Sequence, residues 1–230
     1  MELRPFLVSI HRPLIWGFMK VRTPLRLSEV VDDQIDPMVD ALVKTVEVKD
    51  FYTAGHSERV MRYSMLLGTS LKLPCSELKV LQMGALIHDI GKIGIPDKIL
   101  TKRGVLTEAE YGIVKTHTVN GARIVENIPN LQDCIPIIRW HHERLNGSGY
   151  PDGLKGSEIP LLVRIAAVAD VFDALTSSRS YRDAVNVPEA VGLLRSMADS
   201  GELDPELVEI LAEIVEKDGA LWVAEIDHAA

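Results

Sequence analysis

From about residue 29 onward, apolar residues return every three or four positions, the period of a helix with one buried face. Val30, Val31, Ile35, Met38, Val39, Leu42, Val43 and Val46 mark such a face over 29–48. A second predicted helix covers about 55–73, with Val60, Tyr63, Leu67 and Leu71 inward, and a third runs 76–90 on Leu78, Leu81 and Ala85. Thr107-Glu108-Ala109-Glu110 has the form of a capping box and opens a helix expected to continue to about 127. Further helices are expected at about 133–144 and 160–178, separated by a loop with several glycines and Pro151. Pro188 and Asp204-Pro205 fit two more helix starts. No stretch alternates as a strand would. The expected class is therefore all-α, a bundle of seven or eight helices.

Polar residues interrupt these apolar faces at particular places. His56, His88, Asp89, His117, His141, His142 and Asp170 each fall on, or directly beside, the side that aliphatic residues mark as inward. A single inward histidine is usually a satisfied core residue. Seven such groups aimed at one interior are costly without a shared partner, because buried polar groups need hydrogen bonds and buried charges need compensation. Metal cations supply that partner. A donor set of imidazole and carboxylate without thiolate suits iron or manganese ahead of zinc. Adjacent histidines on a helix point about 100° apart, so His141 and His142 are expected to serve two neighbouring ions. The carboxylates offset part of the positive charge, and one carboxylate can bridge two metals.

Composition narrows the function. The 230 residues are 47% apolar, enough for one sizeable core, and the net charge of −8 argues against a DNA- or RNA-binding protein. Cys75 and Cys134 form no CxxC pair and read as two buried, reduced thiols of a cytoplasmic protein. No apolar run approaches the ~20 residues of a spanning helix. Residues 1–28 differ from the rest: Arg4, Arg12, Lys20, Arg22 and Arg26 interleave with Phe6, Leu14, Trp16 and Phe18. This arm is read as a docking segment, for a partner protein or a homodimer, in preference to a membrane-surface segment.

The stretches YTAGHSERV (52–60), LIHDIGKIGIPDKIL (86–100), KTHTVNGARI (115–124), HHERLNGSGYPDGLKGSEIP (141–160) and RIAAVADVFDALTSSRSYR (164–182) together resemble the HD-GYP family of metal-dependent phosphohydrolases. The resemblance places a phosphohydrolase domain at 48–215, after a lead-in helix at 29–48 and before a tail at 216–230. It implies an HD-domain helical bundle that hydrolyses cyclic di-GMP to pGpG, and in some members on to GMP. It carries the metal-ligand role to His56, His88, Asp89, His117, His141, His142 and Asp170, with Asp89 bridging.

Some members of that family use a glutamate four residues before the first ligand histidine to help hold a third metal. Tyr52 stands there in this sequence, so two metals are expected. Glu47 and Asp50 are close by but off that spacing. Two neighbouring cations can lower the pKa of a water between them toward neutrality. Lys92, read as one turn from His88 on the same helical face, is expected to neutralise phosphate charge or assist the leaving group. Tyr150, in a turn whose glycines 147 and 149 let a substrate come near, is expected to touch phosphate or base. Arg179 and Arg182 are expected substrate contacts. Asp173, one turn beyond Asp170, is placed to orient a ligand or Lys92. Rival readings are an HD phosphohydrolase for another nucleotide, and a cyclic di-GMP receptor with little turnover.

Overall fold

The structure is a computed structural model that describes residues 36–50, 55–102, 104–177 and 184–218. Among the described residues all regular structure is helical, as expected. The arm at 1–28, the start of the lead-in helix, Tyr52, Arg179, Arg182 and the end of the tail lie outside the described residues.

The helices are α1 (Pro37–Lys49), α2 (His56–Ser70), α3 (Cys75–Ile87), α4 (Asp97–Leu100), α5 (Glu108–Lys115), α6 (His117–Val125), α7 (Ile135–Trp140), α8 (Leu161–Thr176), α9 (Val187–Asp199) and α10 (Pro205–Asp218). A 3-10 turn at Ile90–Gly94 follows α3. Helix starts are set locally by side chains that accept the otherwise unpaired N–H groups of the first turn. Asp36 accepts from Met38 N, Asn186 from Glu189 N, and Thr107 and Glu110 form the capping box that their spacing announced. Each such cap is worth about 1 kcal/mol.

Helix α8 is the spine. Its sequence, LLVRIAAVADVFDALT, is apolar nearly all round, the pattern of a helix covered on every side. Val163, Ile165, Ala166, Val168, Ala169 and Phe172 are all buried. Helices α2, α3, α7, α9 and α10 pack around it. Tyr63 of α2 meets Phe172 edge to face, with ring centroids 5.0 Å apart. Asp170 and Asp173 are the buried charged residues on this spine, while Arg164, half-buried, pairs with Asp204. On the other side of the fold α6 packs against the 3-10 turn and α7, and α1 packs on the 3-10 turn and α3.

Several boundaries differ from the sequence reading. The expected helix at 76–90 ends at Ile87, so His88 and Asp89 lie in its terminal turn and Lys92 belongs to the 3-10 segment, not to the helical face of His88. The expected helix at 107–127 breaks at Thr116. There the Thr116 hydroxyl bonds Ile113 O at 2.7 Å and the His117 ring bonds Val114 O at 2.8 Å, diverting two carbonyls from the helical ladder. The expected helix at 133–144 ends at Trp140, leaving His141 and His142 beyond it. Met38 turns outward at 47% exposure, and Cys75 is exposed at the start of α3, so only Cys134 is the buried thiol expected.

One contact fixes how the two sides meet. A methyl group at Gly91 would lie 1.8 Å from the His117 carbonyl and 2.4 Å from the Gly121 amide. The 3-10 turn and α6 thus touch backbone to backbone. We predict that Gly91→Ala costs at least about 2 kcal/mol by overpacking. Gly192→Ala, in α9 with open space around the added methyl, should instead stabilise by up to about 1 kcal/mol through helix propensity. Urea-denaturation midpoints of the two variants should move in opposite directions.

Candidate metal centre

The histidines occupy helix ends. His88 follows the last turn of α3, His117 follows the last turn of α5, and His141 follows the last turn of α7. The last carbonyls of a helix lack intrahelical partners. In each case the imidazole fills that role: His88 Nδ1 lies 2.7 Å from Ala85 O, His117 Nδ1 2.8 Å from Val114 O, and His141 Nδ1 3.0 Å from Ile138 O. A carbonyl only accepts, so each Nδ1 carries the proton and donates it. The opposite nitrogen, Nε2, is left with a lone pair. His56, the first residue of α2, makes the same arrangement with a carboxylate, its Nδ1 lying 2.7 Å from Asp173 Oδ2.

These four Nε2 atoms and the carboxylates of Asp89 and Asp170 converge. His56, His88 and Asp170 form one group that could hold a cation, and His117, His141 and His142 form another; within each, the donor atoms lie within 4.8 Å of one another. Asp89 lies between them. Its Oδ2 is 3.5 Å from His88 Nε2 and 3.8 Å from His56 Nε2, while its Oδ1 is 3.3 Å from His117 Nε2. Asp170 also faces both ways, with Oδ1 3.4 Å from His56 Nε2 and Oδ2 4.0 Å from His142 Nδ1. The structure therefore brings all seven residues expected as ligands to one place. His141 and His142 sit side by side with ring centroids 4.1 Å apart.

The donors fit cations, and one pair makes the point sharply. His117 Nε2 and His141 Nε2 stand 3.3 Å apart. With both protons committed to Nδ1, two lone pairs face each other, an arrangement that a positive ion relieves. The protonation states agree. Burial, reinforced by neighbouring imidazoles, holds His141 well below its usual range, burial lowers His117, and burial takes His142 down to about 3. All three are neutral imidazoles at pH 7, the form that can bind a cation. His56 differs: burial disfavours its charge, but Asp170 and Asp173 outweigh that and raise it to about 9.

Charge around the donors is arranged from outside. Burial opposes the Asp89 carboxylate, yet the nearby Lys92 ammonium holds it well below the ordinary range. Lys92 Nζ lies 2.8 Å from Asp89 Oδ2 and 2.9 Å from Asp50 Oδ2. It is an almost buried cation locked between two carboxylates. Asp173 pairs with His56 and with Arg59, whose Nε is 2.6 Å from Asp173 Oδ1. Of its two expected partners Asp173 thus meets a histidine, His56, while Asp50 takes the place at Lys92. Glu47, one of the two carboxylates near Tyr52, accepts the Gly55 N–H at 3.0 Å.

The turn beyond the histidine pair is held from beneath. Glu143 is 2% exposed and its carboxylate accepts from the amides of Asp152, Gly153 and Leu154 at 2.7–3.1 Å. A methyl at Gly149 would lie 2.4 Å from Arg144 N and Glu143 Cα. Gly149 is therefore required for the turn to fold onto its own chain, not for substrate approach. The result lays Tyr150 against His142, with ring centroids 4.8 Å apart. Glu143 gave no sequence signal beyond its place after the histidines. Tyr111 and Lys115 were also missed: the Lys115 ammonium sits 4.7 Å from the Tyr111 ring centroid and 5.0 Å from that of Tyr150. Their spacing before His117, one helical turn apart, was the available signal.

A profile of the HD domain family matches residues 40–207. The chain belongs to the HD domain family. This HD domain is 40% identical over 184 residues to the cyclic di-GMP phosphodiesterase response regulator RpfG of Xanthomonas campestris, aligning 79% of this chain with 48% of that one. It is 39% identical over 212 residues to a cyclic di-GMP phosphodiesterase of Thermotoga maritima, 91% of this chain and 56% of that one. It is 38% identical over 175 residues to 3′3′-cGAMP-specific phosphodiesterase 3 of Vibrio cholerae, 76% of this chain and 38% of that one. The chain thus spans roughly two-fifths to just over half the length of these curated relatives. Among solved structures, Bd1817 of Bdellovibrio bacteriovorus shares the fold at a TM-score of 0.60 and 22% identity, over 77% of this chain and 62% of that one. The HD domain of Listeria monocytogenes phosphodiesterase PgpH does so at 0.57 and 18%, over 78% and 98%.

Because a cation on His56 Nε2 must displace its proton, metal binding by this HD domain should release about one proton per protein at neutral pH. Apparent affinity should rise as pH increases toward about 9 and fall about tenfold per unit below it. Calorimetry in buffers of different ionisation enthalpy measures the proton count. Asp173→Asn should weaken metal binding about 10- to 100-fold by loosening the His56 ring, read by competition with a chelating dye.

Proposed function

We propose that this HD domain is a metal-dependent phosphodiesterase that opens cyclic di-GMP to pGpG. The observation that carries the reading is Asp89, whose two oxygens face two separate imidazole groups. Charge supports a pair of divalent ions. Asp50, Asp89, Asp170 and Asp173 set four carboxylates against the fixed cations Lys92 and Arg59. The two negative charges left over, met by two divalent ions, give a site with two positive charges. That is the complement of a cyclic dinucleotide with two phosphodiesters. Iron or manganese suits the oxygen-and-imidazole donor set.

His56, His88 and Asp170 would hold one ion, and His117, His141 and His142 the other, with Asp89 shared. Bound there, the ions would activate water as a nucleophile and draw charge from the phosphoryl oxygens. The protein's own groups do the positioning. Lys92 keeps Asp89 ionised and places a fixed positive charge beside the reacting phosphate. Burial raises the Tyr150 hydroxyl above its usual range, so it remains a donor at any working pH and can bond a phosphate oxygen. Arg179 and Arg182 supply guanidinium forks suited to phosphate or guanine. Asp173 holds the His56 ring, and Arg59 holds Asp173.

Specificity for a second cyclic dinucleotide is a separate reading, favoured by the 38% identity to the cGAMP-specific phosphodiesterase 3 of Vibrio cholerae. Protein purified without oxygen and loaded with iron or manganese should convert cyclic di-GMP to pGpG, with chelator abolishing the reaction. Faster cleavage of 3′3′-cGAMP would favour the second reading. Tight binding of cyclic di-GMP at full metal occupancy with no product would overturn both in favour of a receptor. Asp89→Ala should lose metal and activity together, by elemental analysis and product chromatography. Arg179→Ala should keep its metal and raise KM at least about tenfold, the worth of one lost charged hydrogen bond.

A further inference from the structure

Helix α5 has an unusual relation to the rest of the fold. None of its residues is buried, although its capping box and the Lys102–Glu110 ion pair at 2.6 Å hold it in place. It makes only slight contact with α4 and α6. Its Tyr111 is 45% exposed. Tyr111 and Lys115, four residues apart, share one side of the helix, and that side faces the metal centre. The Tyr111 ring meets Tyr150 edge-on at 6.5 Å, and Tyr150 in turn lies on His142. Lys115 Nζ is suspended between the two tyrosine faces.

Among the described residues Lys115 makes no ion pair. Lys92, by contrast, has both neighbouring carboxylates as partners. An ammonium without a carboxylate, half-buried between aromatic rings at the rim of a site built for an anion, is poised to accept one. The substrate proposed above carries two phosphodiesters, and only one can lie on the metals at a time.

We propose that Lys115 and Tyr111 form the subsite for the half of the cyclic dinucleotide that is not being cleaved: the ammonium binds its phosphate, and the exposed tyrosine ring packs against its base. This deepens the phosphodiesterase reading and rests on it. It gives α5 a reason to be held in place without burying anything: its inward side is covered when the second nucleotide arrives. Base stacking on an aromatic ring is commonly worth enough to matter for affinity and tolerates different bases. The cation supplies the phosphate contact and the ring supplies the nucleoside contact.

The test compares metal-loaded wild type with Lys115→Met, Lys115→Arg and Tyr111→Leu, using cyclic di-GMP and the small diester bis(p-nitrophenyl) phosphate, which has no second phosphate. Lys115→Met should raise KM for cyclic di-GMP at least about tenfold, with a much smaller change in kcat and unaltered metal content. Its loss on the small diester should be several-fold less. Lys115→Arg should recover most of the KM, and Tyr111→Leu should raise KM without altering its salt dependence. An unchanged KM in Lys115→Met, or equal losses on both diesters, overturns the subsite. If wild type binds metal and cleaves the small diester but no cyclic dinucleotide, the substrate reading itself fails. The two failures are thereby distinct.

Discussion

A buried carboxylate needs positive charge or hydrogen-bond donors beside it, and Asp89 is 5% exposed. The Lys92 ammonium from its own 3-10 turn and the His56 ring, held protonated by its aspartates, compensate it, while His88 on one side and His117 on the other turn Nε2 lone pairs toward it, a set that a cation completes. Each partner is delivered by a different part of the chain, so satisfying this one group draws α2, α3, the turn after α3, and α6 together. The Gly91 contact with α6 is the steric counterpart of the same convergence. The close approach of the turn to α6 accompanies the 3.3 Å separation of Asp89 Oδ1 and His117 Nε2. Packing and electrostatics thus impose the same requirement from two sides.

The helix ends are where the site and the fold share a solution. Three C-terminal turns each leave a carbonyl unpaired, and three imidazoles each need one nitrogen fixed. One hydrogen bond answers both needs and determines which nitrogen faces inward. A histidine in mid-helix would compete for a carbonyl that already accepts from the ladder, whereas at a helix end the carbonyl has no other intrahelical partner. The short helices of this fold, often under ten residues, provide many such ends close to one point. The long apolar α8 provides the rigid back wall from which Asp170 and Asp173 project.

Much of this was legible in the sequence. The 3.6-residue period gave the all-helical class, the capping box placed the start of α5 to the residue, and the seven donor residues stood out because each fell at or beside an apolar face. What the period could not show is where a helix stops. His88, His117 and His141 were read as lying on continuous helices, because the competing acceptor, a ring nitrogen bonded three residues back, leaves no trace in hydrophobic spacing. Contacts distant in sequence were equally hidden. Nothing in the chain near Asp50 announces Lys92, 42 positions on, and Glu143 resembles any helix-end acid until its three amide partners from the following loop are in place. Cys75 was misjudged because a residue type that usually lies inside happens to open an exposed first turn.

That anchoring of the turn has a consequence for how such a domain diversifies. Glu143 grips main-chain amides, which every residue except proline possesses, so this anchor does not draw on the side chain at 150. The platform and the tool it presents are physically separable. The aromatic at 150 can be exchanged while the anchor that sets it beside His142 stays as it was.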